Sequence, residues 1–97
     1  MTPRIHSNTV VIATKENVSC DLGEEAAILG MKNSVYYGLN PVGACIWRLL
    51  QQPRTVREIC DAIVNEYDVT EDRAESDLLQ LLEQMAKEGL VELKPSF

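Results

Sequence analysis

The sequence predicts an α+β fold in which a small N-terminal antiparallel sheet precedes three helices, in a winged-helix-like arrangement. β-branched, aromatic and alternating segments fill the first forty residues, segments with helical apolar spacing follow, and polar caps stand where the helices should begin. A chain of 97 residues suffices for one modest core. We therefore expect a single domain over residues 1–97, with its core at about residues 8–93.

The first forty residues predict a sheet of three strands and leave a fourth strand open. The segments with strand character cover residues 9–14, 18–22, 26–31 and 34–39. Lys32 and Asn33 are suited to a hairpin connection between the last two. A sheet of this size cannot cover both of its edges by itself, so we expect an open edge.

The last predicted strand is followed almost directly by the first helix. Asn40 suits the N-cap of that helix, and Pro41 suits its first position, where the missing N–H costs nothing. Thr55 and Glu58 predict a capping box for the second helix, and Gly89 predicts the end of the third. The predicted helices cover residues 41–51, 56–67 and 71–88.

Acidic residues dominate the helical half of the chain. The net charge is −6, and residues 58–92 carry eleven acidic residues against Arg73 and Lys87. Such a surface repels a phosphate backbone and attracts a basic partner or peptide. A DNA-reading helix carries Arg, Lys, Asn or Gln, whereas the third helix here is acidic, so we expect no nucleic-acid partner.

The residues that catalysis needs are sparse. The single histidine, His6, lies outside the predicted strands and helices, and no phosphate-binding or zinc-binding motif occurs. Cys20, Cys45 and Cys60 are widely spaced and fit reduced thiols better than a metal site. We expect neither an enzyme nor a cofactor. Since no apolar run reaches the length of a membrane span, we also expect a cytoplasmic protein without a membrane partner.

An open strand edge beside a helix can accept an extended peptide as an additional strand. Tyr36 and Tyr37 point to opposite faces of their strand, and which of them faces the peptide stays open at this point. On the third helix, Ala74 leaves room for a guest side chain, while Arg73 and Asp77 flank the apolar stripe. The candidate peptide-binding residues are Ser34, Val35, Tyr36, Tyr37, Gly38, Leu39, Arg73, Ala74, Asp77, Leu78 and Leu81.

The order and spacing of these segments resemble the PqqD-like family, whose members recognise precursor peptides that are made on ribosomes and then modified (RiPPs). The resemblance spans about residues 8–93. It rests on Tyr37, Leu39-Asn40, Ile46-Trp47, Thr55-Val56, Glu58-Ile59, Asp77-Leu78 and Gly89-Leu90-Val91.

The resemblance implies a leader peptide that adds to the third strand of the family's sheet, matched here by residues 34–39, beside the third helix. A free-standing chain is most similar to the leader-binding subunit of lasso-peptide systems, whose partners are a leader peptidase and a macrolactam-forming cyclase. A peptide chaperone for a radical-enzyme pathway, such as quinone-cofactor synthesis, is the alternative. A winged-helix DNA-binding regulator and an adaptor for a folded partner, with an exposed apolar patch, also stay open.

Overall fold

The computed structural model describes residues 5–15, 17–31 and 34–94. Its strands and helices follow the order β1 (Val10–Ala13), β2 (Asn17–Leu22), β3 (Glu25–Gly30), β4 (Tyr36–Leu39), α1 (Pro41–Leu49), β5 (Arg54–Thr55), α2 (Val56–Glu66), α3 (Glu71–Lys87) and β6 (Val91–Lys94). The predicted α+β class, with strands before three helices, is confirmed. Lys32 and Asn33, the expected hairpin connection, lie outside the described residues.

Two three-stranded antiparallel sheets replace the single sheet. One has the order β2-β3-β4 and the other β5-β1-β6. The first forty residues thus contribute three strands to one sheet, and β1 pairs elsewhere, with Val11 opposite Leu93 of β6 and Arg54 of β5. Local sequence marks β1 as a strand but carries no information about a partner some eighty residues away.

The helices begin where the sequence places their caps. The Asn40 side chain accepts a hydrogen bond from the Gly43 N–H at 2.8 Å, which starts α1 one residue after β4 ends. Thr55 and Glu58 form the expected capping box at the start of α2. Gly89 follows α3 with φ +76°, a left-handed conformation that glycine adopts without a Cβ clash.

One core connects the sheets to the helices. Its largest fully buried side chains come from both sheets, from the residue that caps the end of α1, and from α2 and α3: Val11, Ile28, Leu50, Val56, Ile59, Leu78 and Leu82. The ion pair between Arg48 of α1 and Asp21 of β2, at 2.8 Å, ties the first helix to the outer strand of its sheet. Because α1 follows β4 directly and packs on this core, the open edge of β4 is held on a rigid base.

Candidate functional site

β4 is one of the two edge strands of the β2-β3-β4 sheet, and β2 is the other. β4 pairs with β3 on one side, and within the described residues no strand pairs with its other side. The strand begins at Tyr36, two residues later than the sequence predicts. Ser34 lies before it in a turn, with φ +55° and its N–H donating to the Gly30 carbonyl at 2.8 Å.

The register of β3 and β4 fixes which backbone groups face the open edge. The Gly30 N–H donates to the Val35 carbonyl at 2.9 Å, so these two residues form a hydrogen-bonded pair. Because such pairs alternate along an antiparallel ladder, the backbone of Tyr37 and Leu39 is directed toward β3. The N–H and C=O groups of Tyr36 and Gly38 are therefore directed outward, toward any strand that is added.

A groove runs between β4 and α3. Its larger part is a cavity of about 470 Å³. A smaller cavity of about 130 Å³ continues it toward the C-terminal end of α3. Both parts are lined by Gly38, Leu39, Leu81 and Gln84, so the two cavities adjoin each other alongside the strand. The walls are mainly apolar with a few amide and carboxylate groups, as in sites that bind peptides and small ligands.

The side chains of the two tyrosines of β4 lie on opposite faces of the sheet. Tyr37 is half-buried, lines the smaller cavity and donates its hydroxyl hydrogen bond to Glu88 Oε2 at 2.9 Å. Tyr36 is 67% exposed and lies opposite Leu29, which lies opposite Val18. Val18, Leu29 and Tyr36 form an exposed apolar row on the outer face, away from the core.

The structure brings together most of the predicted site residues, but not all of them. The groove is lined by Tyr37, Gly38, Leu39, Ala74, Asp77, Leu78 and Leu81. Ser34, Val35 and Arg73 do not line it, nor does Tyr36, whose backbone alone reaches the open edge. Arg73 instead pairs with Asp77 at 3.7 Å on the exposed surface of α3.

Sequence reasoning missed the far wall of the groove, which α1, α2 and the loop after α2 supply. Val42, Ile46, Ile63, Tyr67 and Val69 line the larger cavity. The Tyr67 hydroxyl donates to the Pro41 carbonyl at 3.3 Å, and partial burial, followed by the nearby Cys45, raises the pKa of Tyr67. The only sequence signal was helical spacing, which these residues share with ordinary core positions.

The surroundings of Cys60 affect the reactivity of its thiol. Burial, and then the carboxylates of Glu75, Asp61 and Glu71, raise the pKa of Cys60, which disfavours the nucleophilic thiolate. Within the described residues there is no group of His, Cys, Asp and Glu side chains that could hold a metal ion. Among the described helices, none combines the length and apolarity needed to cross a membrane.

Comparison with known proteins finds one family and two solved structures that resemble this chain. The family described as coenzyme PQQ synthesis protein D (PqqD) matches residues 25–91. A solved structure of TbiB1 in complex with the TbiA(beta) leader peptide is 34% identical, with a TM-score of 0.78 over 84% of this chain and 94% of that one. A lasso peptide synthetase B1 complexed with the leader peptide shares the fold, at 20% identity and a TM-score of 0.74 over 84% and 96% of the two chains. Among the curated proteins none matches the chain.

Proposed function

Because the chain belongs to the PqqD family, we propose that it binds the leader segment of a ribosomally made precursor peptide and delivers it to separate processing enzymes. The leader adds as a strand to the open edge of β4 and lies in the groove beside α3. The observation that carries this proposal is the outward-facing backbone of Tyr36 and Gly38 directly above an apolar groove. The neighbour at 34% identity is itself a leader-peptide complex, which supports it.

Main-chain hydrogen bonds and apolar anchors supply the affinity in this mechanism. A disordered leader loses entropy when it orders on the strand, so the contacts must exceed that cost. Micromolar binding needs about −8 kcal/mol net. The groove offers an apolar floor for guest side chains in addition to the backbone ladder. The protein is then not an enzyme: it raises the local concentration of precursor at the enzymes that act on it.

We propose that those enzymes are the leader peptidase and macrolactam cyclase of a lasso-peptide pathway. The alternative is a radical-enzyme pathway, which the family description, coenzyme PQQ synthesis, favours. Because ribosomes make the precursor in the cytoplasm, we expect the protein to act there. Adding purified peptidase or radical enzyme to the complex distinguishes the two pathways. Only the true partner enzyme processes the bound precursor faster than the free precursor.

The exposed row of Val18, Leu29 and Tyr36 suits the handover step. Contiguous exposed apolar side chains are typical of protein interaction surfaces. The row lies on the outer face of the sheet, and the leader would occupy the edge and the groove. One enzyme can therefore contact the outer face while the leader stays bound.

The test is a fluorescence titration with labelled leader segments of the short precursor genes beside this protein's own gene. Saturable binding to one leader, and none to its scrambled version, supports the proposal. Salt-dependent binding to duplex DNA without binding to any leader would instead favour a winged-helix regulator.

A further inference from the structure

The charges that line the groove are both negative, and each of its two cavities has one. Among the described residues that line the larger cavity, Asp77 is the only charged one. In the same described part of the chain, Glu88 is the only charged residue that lines the smaller cavity. All other lining residues are apolar, glycine, amide or tyrosine. A guest in this groove therefore meets one carboxylate in each cavity and uncharged lining residues between them.

Asp77 has only weak local compensation. The nearest cation, Arg73, is 3.7 Å away, and both side chains are mostly exposed. Water screens such a pair, and the order with Arg on the N-terminal side is the less favourable one on a helix. Arg73 also lies outside the lining of both cavities. Among the described residues, the lining of the larger cavity thus includes a carboxylate and no cation.

A hydrogen bond from β4 holds Glu88 in place. Glu88 Oε2 accepts the Tyr37 hydroxyl hydrogen bond at 2.9 Å, and the phenol that donates it is neutral. Lys87 does not line the smaller cavity, but together with Glu83 and Glu88 it lines a separate cavity on the neighbouring surface of α3. The tyrosine therefore orients the carboxylate in the smaller cavity, where a guest cation can approach it.

The distance between the two acids sets a spacing in the guest. Asp77 lies in α3, and Glu88 directly follows its last residue. The two are eleven positions apart, close to three helical turns, so they lie on one side of the helix, separated by about 16 Å. An extended strand advances roughly 3.3 Å per residue, so about five residues span that distance. Side chains on one face of a strand recur at every second residue. Two guest side chains that face α3 should therefore be four or six residues apart.

We propose that the peptide bound in this groove carries two basic side chains, four or six residues apart, of which one pairs with Asp77 in the larger cavity and the other with Glu88 in the smaller cavity. The inference rests on the proposed peptide-binding function and adds the chemistry of the peptide to it. Backbone pairing alone would accept many sequences, whereas two charges at fixed separation set the register of the bound leader.

The test measures leader affinity for Asp77→Asn and Glu88→Gln proteins, with synthetic leader segments from the neighbouring precursor genes as the probe. Glu88→Gln keeps an amide oxygen that can accept from Tyr37, so the cavity retains its shape. Glu75→Gln is the matched control, because it removes the same charge from the same helix on a surface away from the groove. We expect a two- to fivefold weaker affinity for each groove variant in low salt, and no change for the control.

Replacing the two basic residues of the leader by glutamine should remove the difference between wild-type and variant proteins. Unchanged or tighter binding to Asp77→Asn and Glu88→Gln would overturn the inference while leaving leader binding itself intact. A bound leader without two basic residues at this spacing would also overturn it. Failure of the wild-type protein to bind any leader would instead overturn the proposed function, and the inference with it.

Discussion

Replacing Tyr36 by proline should remove leader binding without unfolding the protein. The outward N–H of Tyr36 is one of two donors, with that of Gly38, that β4 offers to an added strand. Losing this N–H removes a hydrogen bond to the leader that contributes about 1 kcal/mol net. It also leaves a leader carbonyl without a donor, which costs about 1–2 kcal/mol more. The sum, about 2–3 kcal/mol, corresponds to an affinity roughly 30- to 150-fold weaker.

Two further variants make that result interpretable. Tyr36→Ala keeps the backbone donor and loses only a side chain on the outer face, so its leader affinity should stay within about fivefold of wild type. Tyr37→Pro removes a donor directed toward β3, so it should lower the melting temperature, because proline in a paired strand breaks the ladder. Isothermal titration and thermal unfolding measure both effects. If Tyr36→Pro binds the leader as tightly as wild type, the strand-addition mechanism is wrong.

Other variants test the groove, the outer face and a helix cap. Leu81→Ala should weaken leader binding about five- to tenfold, because Leu81 lines both cavities, whereas Leu79→Ala on the same helix should not; titration of each variant checks this. Leu29→Gln should leave leader affinity unchanged but slow processing by the partner enzyme in a turnover assay. Thr55→Ala should lower stability by about 1 kcal/mol in urea unfolding at neutral pH. Hydrogen bonds from Thr55 lower the pKa of Glu58. The capping box therefore stabilises the protein at pH values above the ordinary pKa of glutamate, and this stabilisation is lost as the pH falls through the lowered pKa. The difference in unfolding free energy between wild type and Thr55→Ala should therefore shrink in acid.

Local chemistry explains what the sequence could predict. Asn40, Thr55 and Gly89 each act on backbone groups within a few residues, so their types alone mark the helix ends. The apolar stripe of α3 likewise marks Leu78 and Leu82 as buried.

Long-range geometry explains what the sequence could not predict. The pairing of β1 with β6 joins segments some eighty residues apart, and nothing in either segment encodes the other. Assigning Tyr37 rather than Tyr36 to the groove needed the register of β4 on β3 and the contact with Glu88. The role of Glu88 itself emerged only when the helix end was placed beside the strand.

Amide hydrogen exchange at Tyr36 and Gly38, with and without saturating leader peptide, tests the central claim most directly. In the free protein these two amides face the open edge, so we expect them to exchange faster than the Tyr37 amide, which is directed toward β3. Leader binding by strand addition should slow both strongly, together with changes in α3 near Leu81. If the leader binds and both amides exchange as fast as before, the leader occupies another surface and the account is wrong.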